Sequence, residues 1–162
     1  MKIRILCFGK LKTPGLREAC DHYLKLLSAW VPVQEIELKP VSIPDKAPAT
    51  RKKIQVQEGD LLLARLEDNR EILVLLDETG KSHRSESWAE WLQQLADTGT
   101  RSVAFAVGSS LGFSDEVRKR AARVVSMGPQ TFSHELARVA LAEQVYRASS
   151  ILKKHPYHNA GS

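Results

Sequence analysis

Two glycine-bearing segments in the last third of the chain hold residue types able to build a ligand site. The apolar run Val103-Ala104-Phe105-Ala106-Val107 enters Gly108-Ser109-Ser110-Leu111-Gly112, and Val124-Val125-Ser126-Met127 breaks at Gly128-Pro129 before a long helical segment. In an open α/β sheet, ligands bind at the carboxyl ends of strands, where such loops lie. The first loop has neither the Gly-Lys-Ser/Thr of a Walker loop nor the Gly-x-Gly-x-x-Gly of a dinucleotide site, so phosphate is not its expected ligand. Taken alone, a tight strand-to-helix turn explains its glycines as well as a ligand does.

Further on, Glu143 and Arg147 stand four apart in the order that favours an ion pair on a helix, worth roughly 0.3–0.5 kcal/mol when exposed. Arg147 has a second use, since a guanidinium offers fixed donors to a phosphate or a base. Residue types do not decide between the two. Tyr157 and His158 follow a proline-limited stop, a position that is ordinarily frayed. An imidazole there can nevertheless take a proton near neutral pH. His134 reads as a local hydrogen-bonding residue, and His22 and His83 lack the acidic or cysteine neighbours of a triad. Cys7, inside Ile5-Leu6-Cys7-Phe8, and Cys20 read as small buried hydrophobes, with no zinc spacing and no metal expected.

The elements that must position these groups follow from periodicity. Lys2 to Phe8 reads as a buried strand ending at Gly9, Arg17 to Ala29 as a helix, and Val33 to Leu38 as a strand. Pro40, Pro44 and Pro48 mark a loop, mobile or functional. A helix is expected from Thr50 to about Leu66, then an apolar strand Ile72 to Leu76 ending at Asp77-Glu78-Thr79-Gly80. Ser87-Trp88-Ala89-Glu90 has a capping-box pattern, with Ser85 the competing cap, and Trp88 and Trp91 share a helical face that reads as core. Ser114 is a good N-cap for a helix that Asp115 and Glu116 complement. A strand at Arg123 to Met127 precedes a helix from Ser133 to Lys153 with the stripe Ala137, Leu141, Val145, Ala148 and Leu152. The β-α alternation with near-continuous apolar strands predicts a mostly parallel sheet covered on both faces by helices.

The 162 residues, 43% of them hydrophobic, fit one domain with one core. A net charge of +5 and pI near 9.3 suit a nucleic-acid partner or a solvated basic surface equally. No run reaches the roughly 18 apolar residues of a membrane span and no signal peptide is evident, so a cytoplasmic protein is expected.

Together, Val107-Gly108-Ser109-Ser110-Leu111-Gly112, Thr131-Phe132-Ser133-His134, Leu141-Ala142-Glu143-Gln144-Val145-Tyr146-Arg147-Ala148 and Tyr157-His158 resemble the RlmH family of small methyltransferases of the SPOUT class. Ile5-Leu6-Cys7-Phe8-Gly9-Lys10-Leu11-Lys12 and Leu75-Leu76-Asp77-Glu78-Thr79-Gly80-Lys81 extend the resemblance over essentially the whole chain. It implies a single domain over residues 1–158, a carboxyl-terminal trefoil knot, a disordered tail at 159–162, and a homodimer that binds S-adenosylmethionine. The implied activity is methylation of N3 of a pseudouridine in helix 69 of 23S rRNA within the assembled ribosome. Cofactor contacts would fall on Leu76, Gly108, Met127, Gly128, Pro129, Gln130, Thr131 and Phe132. Arg147, Tyr157 and His158 would lie near the target nucleotide, His158 as base or orienting group and Glu143 supporting Arg147.

Three residues depart from the family pattern: Ser109 replaces a usual glycine, Ser133 a usual proline, and Asn159 a usual basic residue. At positive φ, Ser109 would carry roughly 1–2 kcal/mol of strain; at negative φ it would carry none. The departure leaves room for a ribosome-associated binding protein that keeps the fold without transferring methyl groups. A SPOUT enzyme acting on transfer RNA is a third reading, disfavoured because the chain shows no appended RNA-binding domain.

Overall fold

A computed structural model of the protein describes residues 1–159; the remainder of the expected disordered tail, 160–162, lies outside the described residues. Among the described residues, five strands alternate with five helices: β1 (Lys2–Phe8), α1 (Leu16–Ser28), β2 (Val33–Leu38), α2 (Pro48–Leu63), β3 (Ile72–Ser82), α3 (Ser85–Asp97), β4 (Ser102–Val107), α4 (Asp115–Arg120), β5 (Arg123–Ser126) and α5 (His134–Leu152). The strands form one sheet in the order β2-β1-β4-β3-β5, every neighbouring pair parallel. Parallel strands need covering on both faces. Ile3, Ile5, Cys7, Val103, Phe105 and Val107 point to the face packed by α1, α3 and α5, while Leu6, Phe8, Leu73, Leu75, Ala104 and Ala106 point to the face under α2 and α4.

Several local expectations change in the fold. Pro48 opens α2 from its first turn instead of extending the loop, because that position needs no amide donor. The helix stops at Leu63, short of Leu66. Neither Ser87 nor Ser85 caps α3: Arg84 is its N-cap and makes no side-chain cap bond. Instead, the Ser85 hydroxyl contacts Gln144 Oε1 at 3.3 Å, a tertiary partner that local sequence does not announce. The apolar stripe of α5 is covered within the chain at Leu141, Val145 and Ala148, and only its end at Leu152 is exposed.

The largest difference is β3. Asp77-Glu78-Thr79-Gly80 does not end the strand; the chain bulges outward and Lys81 and Ser82 pair again with Val125 and Ser126 of β5. Gly80 makes this return feasible, since a Cβ there would lie 2.7 Å from the Val125 carbonyl carbon. The bulge places two carboxylates and a threonine hydroxyl beside the ends of β4 and β5.

Trp88 and Trp91 are buried as expected, with ring centroids 5.9 and 6.4 Å from Phe105. Both cysteines are buried, and desolvation pushes each thiol up to about 12, which leaves them unreactive at neutral pH. On the α2–α4 side, Arg4 and Glu71 form a buried ion pair at 2.7 Å. Burial alone would raise the Glu71 pKa, but the Ser102 hydroxyl, the Glu67 amide and Arg4 outweigh it and hold the carboxyl below its ordinary value.

Glu71→Gln leaves the buried Arg4 with only the distant, exposed carboxylate of Glu67 at 3.9 Å, and is expected to destabilise the fold by about 3 kcal/mol in denaturant unfolding at pH 7. Because the folded pKa is depressed, the carboxylate's contribution is present above the unfolded value of about 4.3 and is lost as pH falls through the lower folded value. The gap between wild type and variant should therefore narrow on acidification below about pH 4.

Candidate active site

The carboxyl ends of β3, β4 and β5 lie side by side, and the three segments that leave them enclose a cleft of about 630 Å³. Its lining includes Leu76 and the bulge Asp77-Glu78-Thr79, the loop Val107 to Phe113, Ser126 to Gly128, Gln130 to His134, and Ala137 on the first turn of α5. Seven of the eight residues expected to contact a cofactor therefore line one cavity: Leu76, Gly108, Met127, Gly128, Gln130, Thr131 and Phe132. Pro129 does not line it; the chain turns at Gly128, with φ of +137°, just before it.

Each wall is fixed by side chains. At β5, the Ser126 hydroxyl donates to Gly128 O at 2.6 Å and accepts from Gly128 N at 3.0 Å, setting the turn. A Cβ on Gly128 would sit 2.8 Å from Gln130 Oε1. The Thr131 hydroxyl bonds Glu78, which joins the loop after β5 to the bulge in β3. Asp77 accepts from Thr79 N at 2.9 Å and from Arg118 at 2.7 Å. Burial opposes its charge, but Thr79 and Arg118 prevail and keep the carboxyl below its usual pKa.

The loop after β4 answers the question that Ser109 raised. Ser109 is not at positive φ; Gly112, at +72°, takes that role, and Gly112 N donates to Ser109 O at 3.0 Å. The Ser109 hydroxyl donates to Glu58 of α2 and accepts from Leu111 N at 3.2 Å. Gln55 Nε2, one turn earlier on α2, donates to Leu111 O at 2.8 Å. Glu58 is only 3% exposed and also accepts from Val41 N at 3.1 Å. Sequence reading missed Glu58 and Gln55, whose roles are visible only once α2 lies against the loop. It also missed Asp77, Glu78 and Arg118, although an acidic turn at a third strand end was a usable signal.

Arg147, Glu143, Tyr157 and His158 form a second cluster. Arg147 Nε donates to Glu143 Oε1 at 2.9 Å, and the guanidinium lies 4.7 Å over the Tyr157 ring. The Tyr157 hydroxyl donates to Glu143 Oε1 at 2.9 Å, while its ring packs 4.6 Å from Tyr146. Burial, Tyr23 and Glu143 raise the phenol's pKa, so Tyr157 acts as a donor and not as a base. His158 lies between Arg147, 3.4 Å from Nδ1, and Glu86, 3.4 Å from Nε2. A guanidinium only donates, which assigns the lone pair to Nδ1 and the proton to Nε2. The end of the chain is thus seated, not frayed, as far as His158. Arg147 is ion-paired with Glu143, and that pairing leaves part of its guanidinium free of protein partners.

The cluster and the cleft are separate within one chain. Ala137 and Arg147 are ten residues apart on α5, about 15 Å at the rise of an α-helix. His134 lines the cleft, as does Ser133, whose hydroxyl caps α5 by accepting from Leu136 N at 3.2 Å. Among the described residues no group of three or more His, Cys, Asp or Glu side chains is placed to hold a metal ion.

The lining combines apolar Leu76, Val107 and Met127 with peptide groups, Glu78 and the Asp77–Arg118 ion pair, a mixture that suits a nucleoside-sized molecule. In a parallel α/β domain, a cleft of this size at the strand ends is where an enzyme of this class binds a small molecule. The chain belongs to the SPOUT methyltransferase family: the family model described as predicted SPOUT methyltransferase matches residues 1–158. Three relatives are similar to it along nearly their whole length, each named ribosomal RNA large subunit methyltransferase H. The protein from Trichlorobacter lovleyi is 39% identical over 98% of this chain and 100% of its own. That from Pelotomaculum thermopropionicum is 41% identical over 96% of this chain and 98% of its own, and that from an Exiguobacterium species 39% identical over 98% and 99%.

Ser109→Gly removes a bond to a buried carboxylate and loosens the loop without relieving strain. It is expected to lower stability by about 2 kcal/mol and to speed amide exchange in residues 108–112. A more stable variant would show that residue 109 carries strain after all.

Proposed function

We propose that this protein methylates large-subunit ribosomal RNA, using S-adenosylmethionine, at N3 of a pseudouridine in helix 69 of 23S rRNA within the assembled ribosome, and so acts in the cytoplasm. The names of its relatives support ribosomal RNA as substrate, and the resemblance of its own motifs supports the nucleotide. The observation that carries the reading is the convergence of three strand-end loops on one cleft. The cleft's volume matches a small-molecule site, and Gly108 and Gly128 let backbone line it closely.

Leu76, Gly108, Met127, Gly128, Gln130, Thr131 and Phe132 would hold the cofactor, with Glu78 supplying negative charge beside it, while the charge of Asp77 is met by Arg118. When bound, S-adenosylmethionine supplies a methyl group on a positively charged sulfur. The residues of the chain have to bring the acceptor nitrogen into line with that methyl, and alignment of this kind accounts for much of the rate in a displacement. Arg147 spends donors on Glu143 and His158 and retains others for a phosphate or a uracil carbonyl. Tyr157 holds the guanidinium from one side by stacking, and Glu143 from the other. His158, with its lone pair turned to Arg147, orients that group.

The 15 Å between cleft and cluster argues for a homodimer in which one protomer's cleft meets its partner's tail. Phe132 and Leu136, both exposed beside the cleft, offer apolar surface for that contact. The trefoil knot belongs to the same proposal: after the edge strand β5 the chain returns to α5, which packs against α1 and α3. The alternative of a binding protein without activity rested on Ser109, and its unstrained, bonded position removes that support.

Methyl transfer to ribosomes lacking the modification tests the reading, and ribosomes without the pseudouridine should be poor substrates. Deleting residues 157–162, or Arg147→Ala, should leave S-adenosylhomocysteine binding within about threefold and reduce turnover at least about a hundredfold. Gly128→Trp should abolish binding. Co-expressing the Arg147→Ala and Gly128→Trp chains should recover about a quarter of wild-type turnover, because half of randomly paired dimers carry one intact site. No recovery would mean that each site is built from one chain.

A further inference from the structure

Residues 39–53, the loop before α2 and its first turns, contain Lys39, Lys46, Arg51, Lys52 and Lys53 against one acid, Asp45, and so account for most of the chain's formal surplus of +5. All five basic side chains are exposed, and among the described residues none has a carboxylate within ion-pair distance. The contrast with Arg4, Arg17, Arg118, Arg138 and Arg147 is sharp, since each of those is paired. Asp45 is occupied by Ala47 N and the Thr50 hydroxyl.

Position adds a second argument. Arg51, Lys52 and Lys53 lie near the amino end of α2, where the helix dipole disfavours cations. The other four helices carry an acid in their first turn, and α2 carries none. This charge is therefore not there to stabilise the helix. A third argument is attachment: Glu58 ties Val41 N to the Ser109 hydroxyl, and Gln55 holds Leu111 O, so the basic segment is bonded to a wall of the cleft.

We propose that residues 39–53 form a docking surface for the sugar-phosphate backbone of the RNA, contiguous with the cleft through the Glu58–Ser109 and Gln55–Leu111 bonds. The inference rests on the RNA substrate proposed above. Phosphates are the chemistry that a row of unpaired, exposed ammonium and guanidinium groups recognises. Fixing Val41 and Leu111 to the same helix sets the bound backbone at a constant distance from the methyl donor's position.

The test is fluorescence anisotropy of a labelled RNA stem-loop over a range of salt, with the full-length protein and the quadruple variant K46Q/R51Q/K52Q/K53Q. The variant should bind at least about tenfold more weakly at low salt, and its plot of log affinity against log salt should flatten by about two to three. Its Tm should equal or exceed that of wild type, since charges opposed by the dipole have been removed. K25Q/R101Q, which neutralises two exposed bases outside this segment, should stay within about twofold of wild type. Unchanged affinity and slope in the quadruple variant, or no salt-dependent binding by wild type, would overturn the proposal. So would normal stem-loop binding with lost ribosome binding, which would make the surface a contact for a ribosomal protein. Methyl transfer, read separately, distinguishes the two ideas: salt-dependent binding through these residues without turnover would sink the proposed reaction and leave the surface standing.

Discussion

Arg138 has no exposed surface, and the way its charge is met orients the rest of the carboxyl-terminal half. Its guanidinium donates to Glu37 at 2.8 Å and Glu35 at 3.0 Å, both on β2, and to Gly9 O at the end of β1 at 2.6 Å. Burial disfavours the cation, yet these carboxylates keep its pKa above the ordinary arginine value. Arg17 of α1 reaches the same two acids, so one network clamps β1, β2, α1 and α5. Removing one member of such a buried set typically costs about 3–5 kcal/mol, because the others are left without a counter-charge. Hydrophobic packing alone would let α5 slide or rotate by a turn; fixed guanidinium geometry does not.

That clamp matters because α5 contributes to both the cleft and the Arg147 cluster. Its first turn contributes Ala137 to the cleft, and two turns further on Glu143 and Arg147 start the second cluster. Glu135 reinforces the amino end by accepting from the amides of Lys12 and Thr13 and from the Thr13 hydroxyl. The far end is held by aromatic packing, with Tyr146 stacked on Trp30 at 5.2 Å and Tyr157 against Tyr146. Cleft and cluster are thus held at a constant separation, and the proposed dimer rests on that rigidity.

The opposite side of the cleft is governed by α2. A helix with a buried glutamate pays desolvation unless the carboxylate is bonded, and Glu58 meets that need through the two loops that flank it. Gly59, next to it, allows α2 to approach α4 so closely that a Cβ would lie 2.4 Å from the Ser114 hydroxyl. Close packing of α2 onto α4 and bonding of Glu58 to Ser109 are therefore two consequences of the same dipeptide. They convert a strand-to-helix turn into a shaped wall.

The sequence by itself determined the elements, the two-faced parallel sheet and the family, because hydrophobic period, turn residues and helix stops are local and the motifs are short. It marked Gly108, the turn at Gly128, and the residues Glu143, Arg147, Tyr157 and His158 by type. It misplaced the end of β3, since Asp77-Glu78-Thr79-Gly80 has the chemistry of a turn and only contact with β5 shows the strand resuming at Lys81. It left Ser109 ambiguous, because φ at one residue depends on which partner its hydroxyl finds, and that partner is fifty-one residues earlier. Nothing in the sequence singles out Arg138, for a buried arginine and a surface one are identical until β2 supplies its acids. Local free energies are written in the order of residues; charge burial and long-range hydrogen bonds exist only between segments brought together, and those are what gave the cleft its walls.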